Sequence, residues 1–151
     1  MEQLSIFDFY KNDMSIAKPI RMIETFAGYG STAMAMRELG ANFEHYKISE
    51  WCIPAVNMYH AVHCGDRYEP CDYSKEEAIQ ILLQYGVSMN GKDPLTEDSL
   101  KRKPVDWMND VISKFRATNN IGSVCNVKGV DLGITETDKY DYILSYSFPC
   151  Q

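Results

Sequence analysis

Apolar and polar positions in the first part of this chain follow a strand period and a helix period in turn. Residues 20–26 are mostly apolar and β-compatible, residues 27–30 form a glycine-containing turn, and residues 31–39 have helical composition. Residues 43–49 predict a second strand, and residues 54–62 predict a second helix. Because parallel strands need a crossover connection, this order favours a Rossmann-like α/β fold, with a parallel sheet and flanking helices.

The middle of the chain predicts two further helices. Residues 74–85 are amphipathic, with Ser74 as the N-cap and Glu77 three positions later, which is a capping-box arrangement. Residues 87–104 are rich in turn-forming and basic residues and predict a loop, while residues 105–116 predict a helix.

The last part of the chain predicts strands, and the first part predicts an arm. We expect a short strand within residues 121–132 and a second one at residues 140–146, which are dense in aromatic and β-branched side chains. Residues 1–19 combine a small apolar cluster with polar residues and end at a proline, so they predict an arm ahead of a domain over residues 20–151.

Composition fits one globular domain of 151 residues, with 45% apolar and 24% charged residues. No run of about 18 apolar residues occurs and the five cysteines are irregularly spaced, so we expect a cytosolic protein with free thiols and no membrane span. A net charge of -6 argues against a broad surface that grips nucleic acid.

Two segments that follow predicted strands could bind a nucleoside. Glycines after a first strand let backbone N–H groups approach a ligand, although such a turn also serves as a plain connection. An acid after the second strand, here Glu50, can accept hydrogen bonds from ribose hydroxyls, and Trp51 offers a flat face for adenine. The alternative is that Glu50 caps a helix and Trp51 packs in the core. The residues of the turn are Phe26, Ala27, Gly28, Tyr29 and Gly30.

Cys150 follows the last predicted strand, where open α/β folds place reactive groups. A thiolate there could act as a nucleophile, although a lone cysteine is more commonly a buried inert thiol.

Three segments together resemble the DNA cytosine-5 methyltransferase family. They are residues 23–30, which are similar to its cofactor loop, then Glu50 with Trp51, then residues 147–151, which contain its P-C-Q motif. The resemblance implies that Cys150 is the catalytic nucleophile, that Pro149 belongs to the site, and that S-adenosylmethionine is the cofactor. The substrate it implies is double-stranded DNA, with the target cytosine flipped out of the duplex.

The resemblance also suggests roles for two further acids. Glu24 stands where the family commonly has Asp, so we expect it near the cofactor. Asp131 is a candidate for the family's adenine-contacting acid, with a plain surface residue as the alternative.

The resemblance covers only the first, cofactor-binding part of the family's catalytic domain. Glu50-Trp51 and Asp131 are further apart than is usual in the family, which predicts an insertion at about residues 65–120. We expect the chain to be inactive alone, as a fragment or as a split enzyme completed by a second chain. The alternatives are a non-catalytic cofactor-binding or clamp-binding module and a nicotinamide-binding Rossmann protein.

Two short motifs suggest partners. The N-terminal arm contains a segment similar to peptides that dock on the bacterial sliding clamp, although the arm could instead fold back on its own domain. His60, His63 and Cys64 are residue types that bind zinc, but their spacing matches no common zinc site. The clamp-like segment consists of Gln3, Leu4, Ser5, Ile6 and Phe7.

Overall fold

Three parallel strands form a small sheet in the computed structural model, which describes residues 18–146. Strand β1 (Ile20–Thr25) lies in the centre, between β2 (Phe43–Ser49) and β3 (Asp141–Tyr146). Thr25 pairs with Ser49 on one side and with Tyr146 on the other, so all three strands end at the same edge. The Rossmann-like α/β class predicted from the sequence is confirmed.

Within residues 18–146, five α-helices connect the strands. The first, α1, follows the glycine turn, while the other four all lie between β2 and β3 in the sequence. Their order is α1 (Ser31–Glu38), α2 (Ile53–His63), α3 (Lys75–Tyr85), α4 (Glu97–Lys101) and α5 (Val105–Ala117).

Local signals fix the ends of α3 as the sequence predicts. The hydroxyl of Ser74 accepts a hydrogen bond from the Glu77 N–H at 3.3 Å, and the Glu77 carboxylate accepts one from the Ser74 N–H at 3.0 Å. Gly86 ends the helix in the left-handed conformation. These reciprocal bonds satisfy backbone donors that a helix terminus otherwise leaves without partners.

Two of the local predictions are wrong. The predicted loop at residues 87–104 contains α4, whose first turn is capped by the Thr96 hydroxyl. Residues 121–132 form two short 3-10 helices instead of a strand, and the β-type pairing of the adjoining chain with β2 is a single bridge between Ile48 and Asn120 within the described residues. Positive φ angles at Asn119 and Gly122 interrupt the extended backbone on both sides of that bridge.

The main apolar core lies among α2, α3, α4 and α5, beside the sheet. The rings of Tyr85 and Phe115 pack there in a tilted arrangement with centroids 4.9 Å apart. The helical segment over residues 75–117 therefore packs against α2 as a continuous layer. The buried core residues are Ile53, Val56, Ala78, Ile79, Leu82, Val87, Leu100, Met108, Val111, Ile112 and Phe115.

No helix within residues 18–146 has the length and hydropathy needed to cross a bilayer. The proposed division into an arm and a domain with an insertion stays a prediction.

Candidate functional site

The glycine turn, which follows the carboxyl end of β1, has an unusual backbone conformation. Phe26, Gly28 and Gly30 all have positive φ angles, of 54°, 56° and 84°. The Phe26 N–H donates to the Ser49 carbonyl at 2.9 Å, so the turn stays attached to β2 as it leaves the sheet. This path brings the Phe26 side chain, 36% exposed, to the edge of the sheet.

Gly30 is required by close packing as well as by its backbone angle. A Cβ at this position would overlap Nε2 of His63 and lie 2.8 Å from Cε2 of Tyr59. Nothing lies within 4 Å of a Cβ at Gly28. The second glycine therefore lets α1 start directly against α2.

Glu50 follows β2 and is held over the glycine turn. One carboxylate oxygen, Oε2, accepts from the Gly28 N–H at 3.0 Å, and Oε1 accepts from the Cys52 N–H at 2.8 Å. Glu50 is only 8% exposed. A carboxylate oxygen can accept more than one hydrogen bond, so Glu50 is both fixed in position and able to accept further hydrogen bonds from a ligand.

Asn120 fixes the backbone that carries Glu50. Its Oδ1 accepts from the Glu50 N–H at 3.2 Å and from the Gly122 N–H at 2.9 Å, while its Nδ2 donates to the Glu50 carbonyl at 2.9 Å. The sequence did not indicate this role, because the two residues are 70 positions apart. Asn120 is buried, so losing its amide would leave these groups without partners.

A cleft of about 900 Å³ opens beside Glu50. This volume falls in the range of roughly 300–1,000 Å³ that is typical of small-molecule sites. The structure thus brings Phe26, Glu50 and Trp51 together around the cleft, as the sequence predicts. Gly28 is not part of the lining, but its N–H donates to the carboxylate of Glu50, which lines the cleft. The described residues that line the cleft are Phe26, Ser49, Glu50, Trp51, Asn90, Gly91, Lys92, Ser123, Val124 and Cys125.

Glu24 lies behind the turn in a buried polar chain. Its carboxylate accepts a hydrogen bond from the Tyr59 hydroxyl at 2.8 Å, and burial raises the pKa of the carboxyl group. The same hydroxyl lies 2.7 Å from Nδ1 of His45. Because the phenolic proton goes to Glu24, the His45 ring donates from Nδ1. Burial, with smaller effects from His63 and Arg37, lowers the pKa of His45 to about 4, so that ring is neutral near pH 7.

Comparison with known proteins gives this site a context. No family model matches the chain. It is 30% identical over 137 residues to "Orphan methyltransferase M.SssI" of Spiroplasma monobiae (strain ATCC 33825 / MQ-1), a match that covers 89% of this chain. This similarity supports the resemblance to the DNA cytosine-5 methyltransferase family that the sequence motifs carry. It spans about a third of the length of that curated relative, of which 35% is matched.

The other predicted site residues of this chain lie in different surroundings. Ala27 and Tyr29 belong to the turn but are not among the residues that line the cleft. Asp131 is exposed in the second 3-10 helix, where its carboxylate accepts from the Lys128 N–H at 2.7 Å. The structure therefore does not bring Asp131 to the cleft, because its carboxylate caps the turn in which it lies. Pro149, Cys150 and the clamp-like segment fall outside the described residues.

The three histidines of this chain have protein partners. His60 donates from Nε2 to the Arg67 carbonyl at 2.7 Å. His63 donates from Nε2 to the Tyr29 carbonyl at 2.9 Å, which leaves Nδ1 to accept from Arg37 at 3.0 Å. Over residues 18–146, no three His, Cys, Asp or Glu side chains gather as metal ligands. His63 instead links the glycine turn to α1 and α2.

Proposed function

We propose that this chain binds S-adenosylmethionine in the cleft, as the cofactor part of a DNA cytosine-5 methyltransferase. The observation that carries the proposal is the Glu50 carboxylate, fixed by the Gly28 and Cys52 N–H groups beside Trp51. An acid at the carboxyl end of the second strand is suited to two adjacent ribose hydroxyls. The cleft lies at the edge where open α/β sheets bind their ligands.

The residues present fit the two ends of this cofactor. The ribose hydroxyls would donate to Glu50, and the indole of Trp51, which is partly exposed on the cleft, would stack against adenine. The turn at residues 26–30 would receive the charged amino-acid end, because α1 begins there and backbone N–H groups at a helix start favour negative charge. A volume of about 900 Å³ accommodates a ligand of this class.

The cofactor supplies an activated methyl group. In the proposed reaction the Cys150 thiolate forms a bond to carbon 6 of a flipped cytosine, and the electron pair moves to carbon 5. Carbon 5 would then accept the methyl group, and the electron pair of the carbon–sulfur bond that breaks would stay on sulfur in the thioether product. Loss of the proton from carbon 5 and elimination of the thiolate restore the aromatic ring and the free enzyme.

The family's DNA substrate needs contacts that this acidic part of the chain is poorly suited to supply. Phosphate recognition depends on lysine and arginine, whereas the chain carries a net charge of -6. We propose that the contacts to bases and phosphates come from protein beyond this cofactor part, in the same polypeptide or in a second one. Docking on a sliding clamp through Gln3 to Phe7, membership of a restriction-modification system and a cytosolic location stay predictions.

Isothermal titration with S-adenosylmethionine tests the proposal. The wild-type chain should bind saturably, and Trp51→Ala should weaken binding roughly 5- to 150-fold, because stacking on an aromatic ring contributes about 1–3 kcal/mol per base. Trp51→Phe keeps a ring face and should lose less. Met58→Ala is the control, since that side chain is 56% exposed on α2 and lies outside the cleft lining.

Two outcomes would contradict this function. One is a folded wild-type chain that does not bind S-adenosylmethionine. The other is tighter binding of NAD⁺ than of S-adenosylmethionine, which would favour the nicotinamide alternative.

A further inference from the structure

One wall of the cleft comes from the long helical segment between β2 and β3. Residues 88–93, here called the Ser88 loop, connect α3 to α4, and three of them line the cleft. These three are Asn90, Gly91 and Lys92. A segment that the sequence predicts only as a connection therefore reaches the candidate ligand site.

The Ser88 loop is attached to the backbone on both sides of Cys52. The Ser88 N–H donates to the Trp51 carbonyl at 2.8 Å, and the Ile53 N–H donates to the Ser88 carbonyl at 2.8 Å. These bonds form a parallel bridge between Cys52 and Ser88. The loop is thus placed at the Trp51 end of the cleft, and its position is coupled to the backbone that carries the indole.

Internal hydrogen bonds hold the loop in one shape. The buried Ser88 hydroxyl donates to the Asp93 carbonyl at 2.7 Å and accepts from the Gly91 N–H at 3.0 Å. The Asn90 side-chain oxygen accepts from the N–H groups of Lys92 and Asp93 at 2.9 and 3.0 Å. Most of the loop's polar groups are therefore used to maintain its own conformation.

The ammonium group of Lys92 differs from these groups. It takes part in no ion pair among residues 18–146. Of the described residues that line the cleft, Glu50 is the acid and Lys92 is the base. Glu50 is held by two N–H groups and aligned by Asn120, so it does not depend on Lys92 for a partner. Lys92 is thus available to donate hydrogen bonds to a ligand in the cleft.

We propose that the Ser88 loop is part of the cofactor site and that Lys92 donates a hydrogen bond to a ring nitrogen of the adenine. The inference rests on the proposed function, which places adenine on Trp51. Adenine presents ring nitrogens that accept hydrogen bonds at its edge, and an ammonium group is a donor without acceptor capacity. The bridge between Cys52 and Ser88 keeps the loop beside Trp51, whose indole would carry the adenine.

The test compares two ligands that share the nucleoside. S-adenosylhomocysteine has both the nucleoside and the amino-acid end, whereas 5′-methylthioadenosine lacks the amino-acid end. Lys92→Met should weaken the binding of both ligands by the same factor, roughly 3- to 10-fold, which corresponds to the net free energy of one hydrogen bond. Lys92→Arg keeps a donor and should recover part of the affinity.

Two control variants separate the contact from general effects. Lys128→Met removes an equal charge from an exposed position outside the cleft lining, and Met58→Ala alters an exposed side chain on α2, outside both the cleft lining and the Ser88 loop. Both should bind like the wild type. An unchanged affinity of Lys92→Met for both ligands would overturn the inference.

A loss confined to S-adenosylhomocysteine would also overturn it, because Lys92 would then contact the amino-acid carboxylate. If the folded wild-type chain binds neither ligand, the proposed function fails and the inference fails with it. If the wild type binds and only the Lys92 result is negative, the proposed function stands and the inference alone is refuted.

Discussion

The two glycines of the β1–α1 turn provide a matched pair of substitutions. Both have positive φ angles, so alanine at either position carries the cost of a left-handed backbone, about 1–2 kcal/mol. A Cβ at Gly28 meets open space, whereas at Gly30 it overlaps the His63 ring and crowds Tyr59. Overpacking of this kind costs about 1–3 kcal/mol more. We therefore expect Gly30→Ala to destabilise the chain by about 2–5 kcal/mol and Gly28→Ala by about 1–2 kcal/mol.

Urea unfolding followed by far-ultraviolet circular dichroism measures both free energies of unfolding. A His63→Ala background should reduce the cost of Gly30→Ala, because the overlapping ring is gone, and should leave the cost of Gly28→Ala unchanged. Equal costs for the two alanine variants would refute the packing argument. So would a Gly30→Ala cost that is the same with and without the His63 ring.

Three further predictions concern the groups behind the cleft. Asn120→Ala should lower the free energy of unfolding by about 2–4 kcal/mol and weaken S-adenosylmethionine binding, since three buried hydrogen bonds to the backbone around Glu50 are lost; full stability in urea would contradict this role. The pKa of His45 falls from 6.5 to about 4 on folding. The folded state is therefore fully stable with respect to this group above pH 6.5, and it loses stability as the pH falls to 4 and the ring must be protonated. His45→Gln should therefore show a flatter stability profile over that interval, and parallel profiles would be the contrary result. Burial raises the pKa of Glu24, so the pH dependence of stability from this group has the opposite sign. Stability from Glu24 is lost as the pH rises above 4.5 and through the pKa of the carboxyl group in the folded state. Glu24→Gln, whose carbonyl can still accept from Tyr59, should become more stable relative to the wild type between pH 4 and pH 8, and a constant difference would exclude this titration.

Much of the α/β layout could be predicted from the sequence because it depends on local signals. Strand β2 follows from its β-favouring residues Phe43, Tyr46 and Ile48, and α3 follows from a capping box that acts over three residues. The placement of Glu50 and Trp51 after β2 also predicts that they share an edge with the glycine turn, as observed.

The rest of the candidate site depends on contacts between distant positions. Asn120 binds the backbone of Glu50 across 70 residues, and nothing near Asn120 in the sequence indicates that partner. Likewise, the Ser88 loop is held beside the cleft by backbone hydrogen bonds of Ser88 with Trp51 and Ile53, more than 30 residues earlier in the chain. Asp131 shows the opposite error. Its sequence position makes it a candidate site residue, but its carboxylate accepts a hydrogen bond from the Lys128 N–H within a local turn.

The central claim is that S-adenosylmethionine binds beside Glu50 and Trp51. A second cavity of about 550 Å³, lined by residues that include Tyr46 and Arg116, makes the location of binding testable. The most direct measurement is a titration of the ¹⁵N-labelled chain with S-adenosylmethionine, followed by nuclear magnetic resonance. We predict saturable shifts of the Gly28 amide and the Trp51 indole N–H, with no shift of the Arg116 amide. Shifts confined to Arg116 and its neighbours, or no saturable shifts in a folded chain, would contradict the account.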